Sequence, residues 1–293
     1  MLKIKNLKKT YPNGVKALNE ICLEIGKGMF GLLGPNGAGK SSLMRTIATL
    51  QKPDSGSVHF GEIDVLKDKR EMRSLLGYLP QEFGVYPTLS AEAVLNHLAV
   101  LKGIVNGRER KEEVGRLLEM TNLTAHRKKH LGGFSGGMKQ RFGIAQALLG
   151  NPQVIIVDEP TAGLDPSERD RFHNLLSTVG ENVTVILSTH IVSDVTQLCS
   201  EMAVLYEGNL LAHTSPLKAI EELKGSVWKR IVPKAEIESL SHEVPLLSSR
   251  LLHGEGMLRA FSKTKLGSEW KAAEPDLEDV YFALIKNHTR FSE

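Results

Sequence analysis

"GMFGLLGPNGAGKSSLMRTIATL", residues 28–50, places an apolar run, a glycine-rich turn and an apolar-periodic stretch in immediate succession. The run reads as a buried strand, and the stretch after the turn as a helix that ends before Pro53. Between them Gly34 to Ser41 fit G-x-x-x-x-G-K-[ST], and a strand before with a helix after is the context that makes this pattern a P-loop. The residues of the cradle are Gly34, Pro35, Asn36, Gly37, Ala38, Gly39, Lys40, Ser41 and Ser42. Its glycines let backbone N–H groups close around a β-phosphate. Lys40 bridges the β- and γ-phosphates as a point charge, and Ser41 offers its hydroxyl to Mg²⁺.

Outward from this loop the pattern is α/β. Residues 1–33 alternate apolar and polar letters around the turn "YPNG", as antiparallel strands do, and "DSGSVHFGEIDV" returns to strand and turn. "LLGYLPQ", residues 75–81, is a further strand. From about Gly84 to Gly150 helical periodicity takes over, which marks a helical insert. "PQVIIVDEP", "ENVTVILSTH" and "EMAVLYEGN" then read as doubly buried parallel strands separated by helices such as "DPSERDRFHNLLSTV". "SPLKAIEELKG" starts on a good cap with Pro at its first helical position. The expected fold is therefore a P-loop NTPase core with an antiparallel β subdomain, a helical insert subdomain and a small C-terminal α+β extension, divided at residues 1–220 and 221–293. In the extension "SRLLHGEGMLRAFSK" looks like a hairpin. "PDLEDVYFALIK" sets Leu277, Val280, Tyr281, Leu284 and Ile285 on one helical face behind an Asp276 cap.

Composition narrows the class. With 41% hydrophobic and 24% charged residues among 293, the chain is ordinary globular protein, and a net charge of +3 is too small to argue for nucleic acid. "HRKKH", residues 126–130, lacks interleaved aromatics and reads as a solvated loop. Cys22 and Cys199 have no metal or redox spacing and are expected as buried small apolar residues. The first residues lack a signal-peptide pattern, and no apolar run approaches the ~18 residues of a membrane span, so a soluble cytoplasmic chain is expected.

Two more stretches carry chemistry. "VIIVDE" is expected to bury its strand beside the P-loop strand, so that Asp158 emerges near the metal while Glu159 orients or deprotonates water. "FSGGM" is a second glycine-rich turn heading a helix, and the unpaired N–H groups of such a helix start attract anions.

The ordered set of P-loop, Gln81 after a strand, "FSGGM", the Asp158–Glu159 pair, "GLDP" at 163–166 and His190 after "VTVILST" resembles the ATPase subunit of an ATP-binding-cassette transporter over roughly residues 1–220. The resemblance implies ATP and Mg²⁺ as cofactors. It implies that Tyr11 stacks on adenine, with a packing role as the alternative, and that Ser41, Gln81 and Asp158 serve the metal. It further implies that Glu159, His190, Lys40 and Gln81 act in hydrolysis, and that Asp165 communicates across a dimer. Where the family pattern reads L-S-G-G-Q this chain has Phe134 and Met138, which leaves Ser135, Gly136 and Gly137 as the anion-binding part.

One nucleotide cannot occupy two cradles on opposite lobes, whereas two chains packed head to tail set the Ser135 turn of one against the γ-phosphate held by the other. The implied function is an ATP-hydrolysing motor subunit, attached to the inner face of the cell membrane, that works with a second copy or a homologous ATPase and with separately encoded integral membrane permease subunits, without nucleic acid. The tail "PDLEDVYFALIK" resembles a C-terminal motif of ATPases paired with exporters, and core packing is the other reading of it. Phe83, Val85, Tyr86 and Leu89 either receive a permease helix or pack within the helical lobe. The alternative function is a cassette ATPase acting on ribosomes or DNA. Those resemblances usually bring two cassettes or a long coiled coil, neither of which is present.

Overall fold

The quoted stretch supplies the middle of a six-stranded sheet in the computed structural model, which describes residues 1–81, 84, 86–161 and 164–286. The first part of the chain forms β1 (Leu2–Thr10), β2 (Lys16–Ile25), β3 (Gly28–Leu33), α1 (Lys40–Ile47), β4 (Ser55–Phe60), β5 (Ile63–Asp64), α2 (Lys69–Leu75) and β6 (Leu76–Leu79). A helical stretch follows: α3 (Ala91–Leu101), α4 (Gly107–Met120) and α5 (Gly136–Ala147). Alternation then resumes with β7 (Val154–Asp158), α6 (Pro166–Gly180), β8 (Thr184–Thr189), α7 (Val192–Leu198), β9 (Glu201–Tyr206), β10 (Asn209–Thr214) and α8 (Pro216–Glu222). Last come β11 (Val227–Pro233), α9 (Ile237–Glu243), β12 (Leu246–Leu252), β13 (Glu255–Phe261), β14 (Lys271–Ala272) and α10 (Leu277–Ile285).

These strands build three sheets, ordered β2-β1-β4-β5, β10-β9-β3-β8-β7-β6 and β12-β13-β11-β14. The first is antiparallel, and its apolar face (Leu2, Ile4, Ile21, Leu23) joins the cluster formed by Phe30, Leu32, Leu43 and Ile47. The central sheet is parallel except for β10, and its inner strands β7 and β8 are buried on both faces, as strands flanked by neighbours in a covered sheet must be. One expectation is corrected here: β7 does not lie beside the P-loop strand, because β8 stands between β3 and β7. Apolar runs identify doubly buried strands but not their order, since a crossover can return several places along a sheet. The site survives the change because both neighbours register on β8, with Leu33 opposite Thr189 and Asp158 opposite Ser188.

The expectation for Cys22 is also corrected. β2 alternates, Cys22 falls on its outward face, and the exposed thiol donates to Asn6 Oδ1 (3.1 Å) while accepting from the Asn6 N–H. Cys199 is buried, which pushes its thiol up to about 12 and leaves it inert as a nucleophile.

The C-terminal hairpin is the expected β12–β13, turned by His253 (φ +52°) and Gly254 (φ +90°), two left-handed residues in succession as a tight hairpin turn demands. α10 starts on a reciprocal capping box between Asp276 and Asp279, and Val280 and Leu284 bury against the main core rather than the extension alone. Arg259 on β13 holds both carboxylate oxygens of Asp279 through Nε (2.7 Å) and Nη2. Asp279 is only 2% exposed, so Asp279→Ala leaves a partly buried cation and removes the reciprocal half of the capping box, the bond from the Asp276 N–H, while the Asp276 cap itself stays. The expected loss is about 3–5 kcal/mol, read as a lower urea midpoint with an unchanged slope.

Candidate nucleotide site

Parallel strands deliver their chemistry at their carboxyl ends, where β3, β7 and β8 finish side by side. After β3 the chain turns through the P-loop. Gly39 adopts φ +106° and a Cβ there would lie 2.2 Å from the Ala17 carbonyl oxygen, so only glycine fits. α1 then begins with neither a side-chain cap nor an acidic residue in its first turn, which leaves its first N–H groups to an anion. Lys40 is buried, and its Nζ donates to the carbonyls of Gly34 (2.6 Å) and Pro35 (3.1 Å) while lying 3.9 Å from Glu159 Oε1. Burial lowers its pKa, against the pull of Glu159 and then Asp158.

One cleft is lined by Tyr11, residues 35–42, Gln81, Asp158 and Glu159, together with Val15 and Ala17, which the sequence reading missed. Ser41, Gln81 and Asp158 thus share it as hard oxygen donors with a single carboxylate. That set fits Mg²⁺, which keeps water and phosphate in its remaining positions. Burial raises the pKa of Asp158, a cost that a neighbouring cation relieves. The Tyr11 hydroxyl lies 3.0 Å from Ser42 Oγ and donates to Gln51 Oε1 at 2.9 Å, so the ring is pinned by its tip at the cleft.

Glu159 is held in a strained conformation. Its φ of +49° is left-handed, a state that costs a non-glycine residue about 1–3 kcal/mol and collects at functional sites. Its N–H donates to the Ser188 carbonyl at 2.9 Å, and its Oε2 accepts from His190 Nδ1 at 2.5 Å. His190 is therefore joined to Glu159 rather than lining the cleft itself, with its side chain half exposed.

The second turn lies apart: Ser135, Gly136, Gly137 and Asp165 are not among the residues lining this cleft. Ser135 caps α5 by accepting from the Met138 N–H (3.2 Å), and Ser135 and Gly136 are exposed. A Cβ at Gly136 would meet nothing within 4 Å, whereas one at Gly137 would lie 2.3 Å from Glu168 Oε2. Phe134 and Met138, the two departures from the family pattern, are both buried, and Phe134 packs edge-on against Phe142. Asp165 caps α6 by accepting from the Glu168 N–H (2.9 Å). Gly163 of "GLDP", and Phe83 and Val85 of the loop before α3, lie outside the described residues.

The protein-family model described as ABC transporter matches residues 18–162. The bacitracin transport ATP-binding protein BcrA of Bacillus licheniformis is 35% identical over 315 residues, covering 99% of this chain and 98% of that one. The chain belongs to the ABC transporter family. Another ABC relative, the probable multidrug ABC transporter ATP-binding protein YbhF of Escherichia coli (strain K12), is 33% identical over 270 residues. That match takes in 87% of this chain but 46% of YbhF, so the chain spans about half the length of that relative. Among solved ABC cassettes, the dimeric post-hydrolysis state of MJ0796 bound to ADP and Pi matches with a TM-score of 0.67 and 30% identity, over 73% of this chain and 98% of that one. By family the chain is thus an ABC transporter ATP-binding protein. Among the described residues, no helix is long and apolar enough to cross a membrane.

Proposed function

We propose that residues 1–220 bind Mg²⁺–ATP in the Tyr11–Lys40–Asp158 cleft and hydrolyse it as the motor of an exporter, with residues 221–293 as an accessory region. In this reading the chain pairs head to tail with a second copy or a homologous ATPase, at the inner face of the cell membrane, on separately encoded integral permease subunits. Nucleic acid has no part in it. The observation that carries the reading is the separation of two anion-ready helix starts, α1 in the cleft and α5 on an exposed turn outside it. A two-fold axis lets the Ser135–Gly136–Gly137 turn of one chain complete the γ-phosphate site of the other, with the Asp165 turns facing across the same interface.

Within the site, Ser41, Gln81 and Asp158 would hold the metal, which when bound neutralises charge on the β- and γ-phosphate oxygens. Lys40 leaves the carbonyls of Gly34 and Pro35 for the phosphates, and Tyr11 supports the adenine. Glu159 takes the proton of the attacking water, while His190 orients its carboxylate and reaches toward the γ-phosphate. Export as the direction is supported by relatives named for bacitracin transport and, as probable, for multidrug transport.

The permease partner is supported by Tyr86 (62% exposed) and Leu89 (45% exposed), apolar side chains left uncovered between Gln81 and α3. Single cysteines at Tyr86 or Leu89, in a background lacking Cys22 and Cys199, are expected to crosslink a polytopic membrane protein in native membranes, whereas Ala91 is fully buried and offers no such handle. Capture of ribosomal proteins instead would overturn the transporter reading.

A further inference from the structure

We propose that Asp194, the third residue of α7, is a positioning residue for Glu159 and His190, acting through Thr161; the proposal rests on the hydrolytic reading above. Asp194 is fully buried, and a buried carboxylate persists only when its lone pairs are met. Its Oδ2 accepts from Thr161 Oγ1 at 2.6 Å, and its Oδ1 accepts from Arg169 Nε at 2.9 Å and from His173 Nε2 at 3.0 Å. Arg169 and His173 stand one turn apart on α6, the helix that Asp165 caps, so one carboxylate joins three segments.

Connectivity gives the cluster its meaning. Thr161 lies two residues beyond Glu159, and Asp194 lies four beyond His190. The two segments are therefore tied by two rungs, Glu159 with His190 at the cleft and Thr161 with Asp194 behind it. Glu159 is in a left-handed conformation that lasts only where its surroundings fix it, and the rear rung pins the chain just past that point. A buried ionic cluster is weak evidence for stability, since packed apolar residues usually serve as well. Fixing the geometry of a water-orienting carboxylate is a role that apolar residues cannot fill.

The test keeps Asp194 and its α6 partners intact. Thr161→Val removes the hydroxyl at nearly constant shape. It is expected to lower kcat about 10- to 100-fold, as loss of a supporting hydrogen bond does at other sites, with KM for ATP close to parental and a lower thermal midpoint, because Asp194 Oδ2 loses its Thr161 donor. Thr161→Ser restores the donor and most of the rate. Amide hydrogen exchange across residues 158–161 quickens in the Val variant and not in the Ser variant. Parental kcat and parental exchange in Thr161→Val would overturn the proposal, as would equal defects in the Val and Ser variants. The exchange contrast needs no turnover, so a parent lacking ATPase activity would sink the hydrolytic reading while leaving this one to be decided.

Discussion

Replacing Glu159 with Gln is expected to slow ATP hydrolysis by about 10²–10⁴-fold, the range for a lost general base, while ATP still binds and the chain sediments as an ATP-dependent dimer. Gln keeps the size of the side chain and an oxygen to accept from His190 Nδ1, which now bonds Glu159 at 2.5 Å. What disappears is the ability to take a proton from water. Binding is spared for an electrostatic reason. Asp158 and Glu159 are both buried beside Lys40, and removing one negative charge from a cleft that must receive a triphosphate does not weaken its capture. In the proposed assembly the dimer accumulates because the nucleotide that joins two chains is no longer consumed. Phosphate release and sedimentation velocity read the two effects separately, and parental turnover would remove Glu159 from its assigned role.

Ser135→Arg is expected to abolish ATP-driven dimerisation and turnover while leaving the isolated chain's nucleotide affinity near parental. Ser135 is exposed and lines no part of the chain's own cleft, so in the proposed head-to-tail pairing bulk and charge there meet the partner's nucleotide only. The substitution also removes the hydrogen bond from the Met138 N–H to Ser135 Oγ. A lost cap costs about 0.5–2 kcal/mol, which a domain of ordinary stability tolerates. The thermal midpoint of the isolated Ser135→Ala chain, which loses the cap without adding bulk, reads that cost apart from any interface. A fluorescent-nucleotide titration decides the matter: equal loss of binding in the monomer would mean that the turn serves its own ATP.

The legible parts of this protein were the local ones. The P-loop, the Asp276 cap and the His253–Gly254 hairpin each follow from a few consecutive residues whose spacing dictates backbone geometry. The position of β8 between β3 and β7 was not legible, because strand order depends on where crossovers return. Cys22 was misread because small residues suit either face of a strand, and only the register of β2 turns it outward. The Asp194 cluster joins residues from three segments, and in the sequence Asp194 is an unremarkable acid on a short helix. β11, α9 and β14 escaped notice for a similar reason. Their segments are short and mixed in polarity, and the two strands are completed by pairing with distant residues.

The two glycines after Ser135 answer to different constraints, one open on its free side and the other backed by the Glu168 carboxylate. Their evolutionary histories should therefore diverge. Position 136 is free to vary wherever the interface permits, under selection for assembly alone. Position 137 is locked to its neighbour on α6, so a lineage gaining a side chain there is expected to have shortened residue 168 first, and covariation between those two positions would record the order.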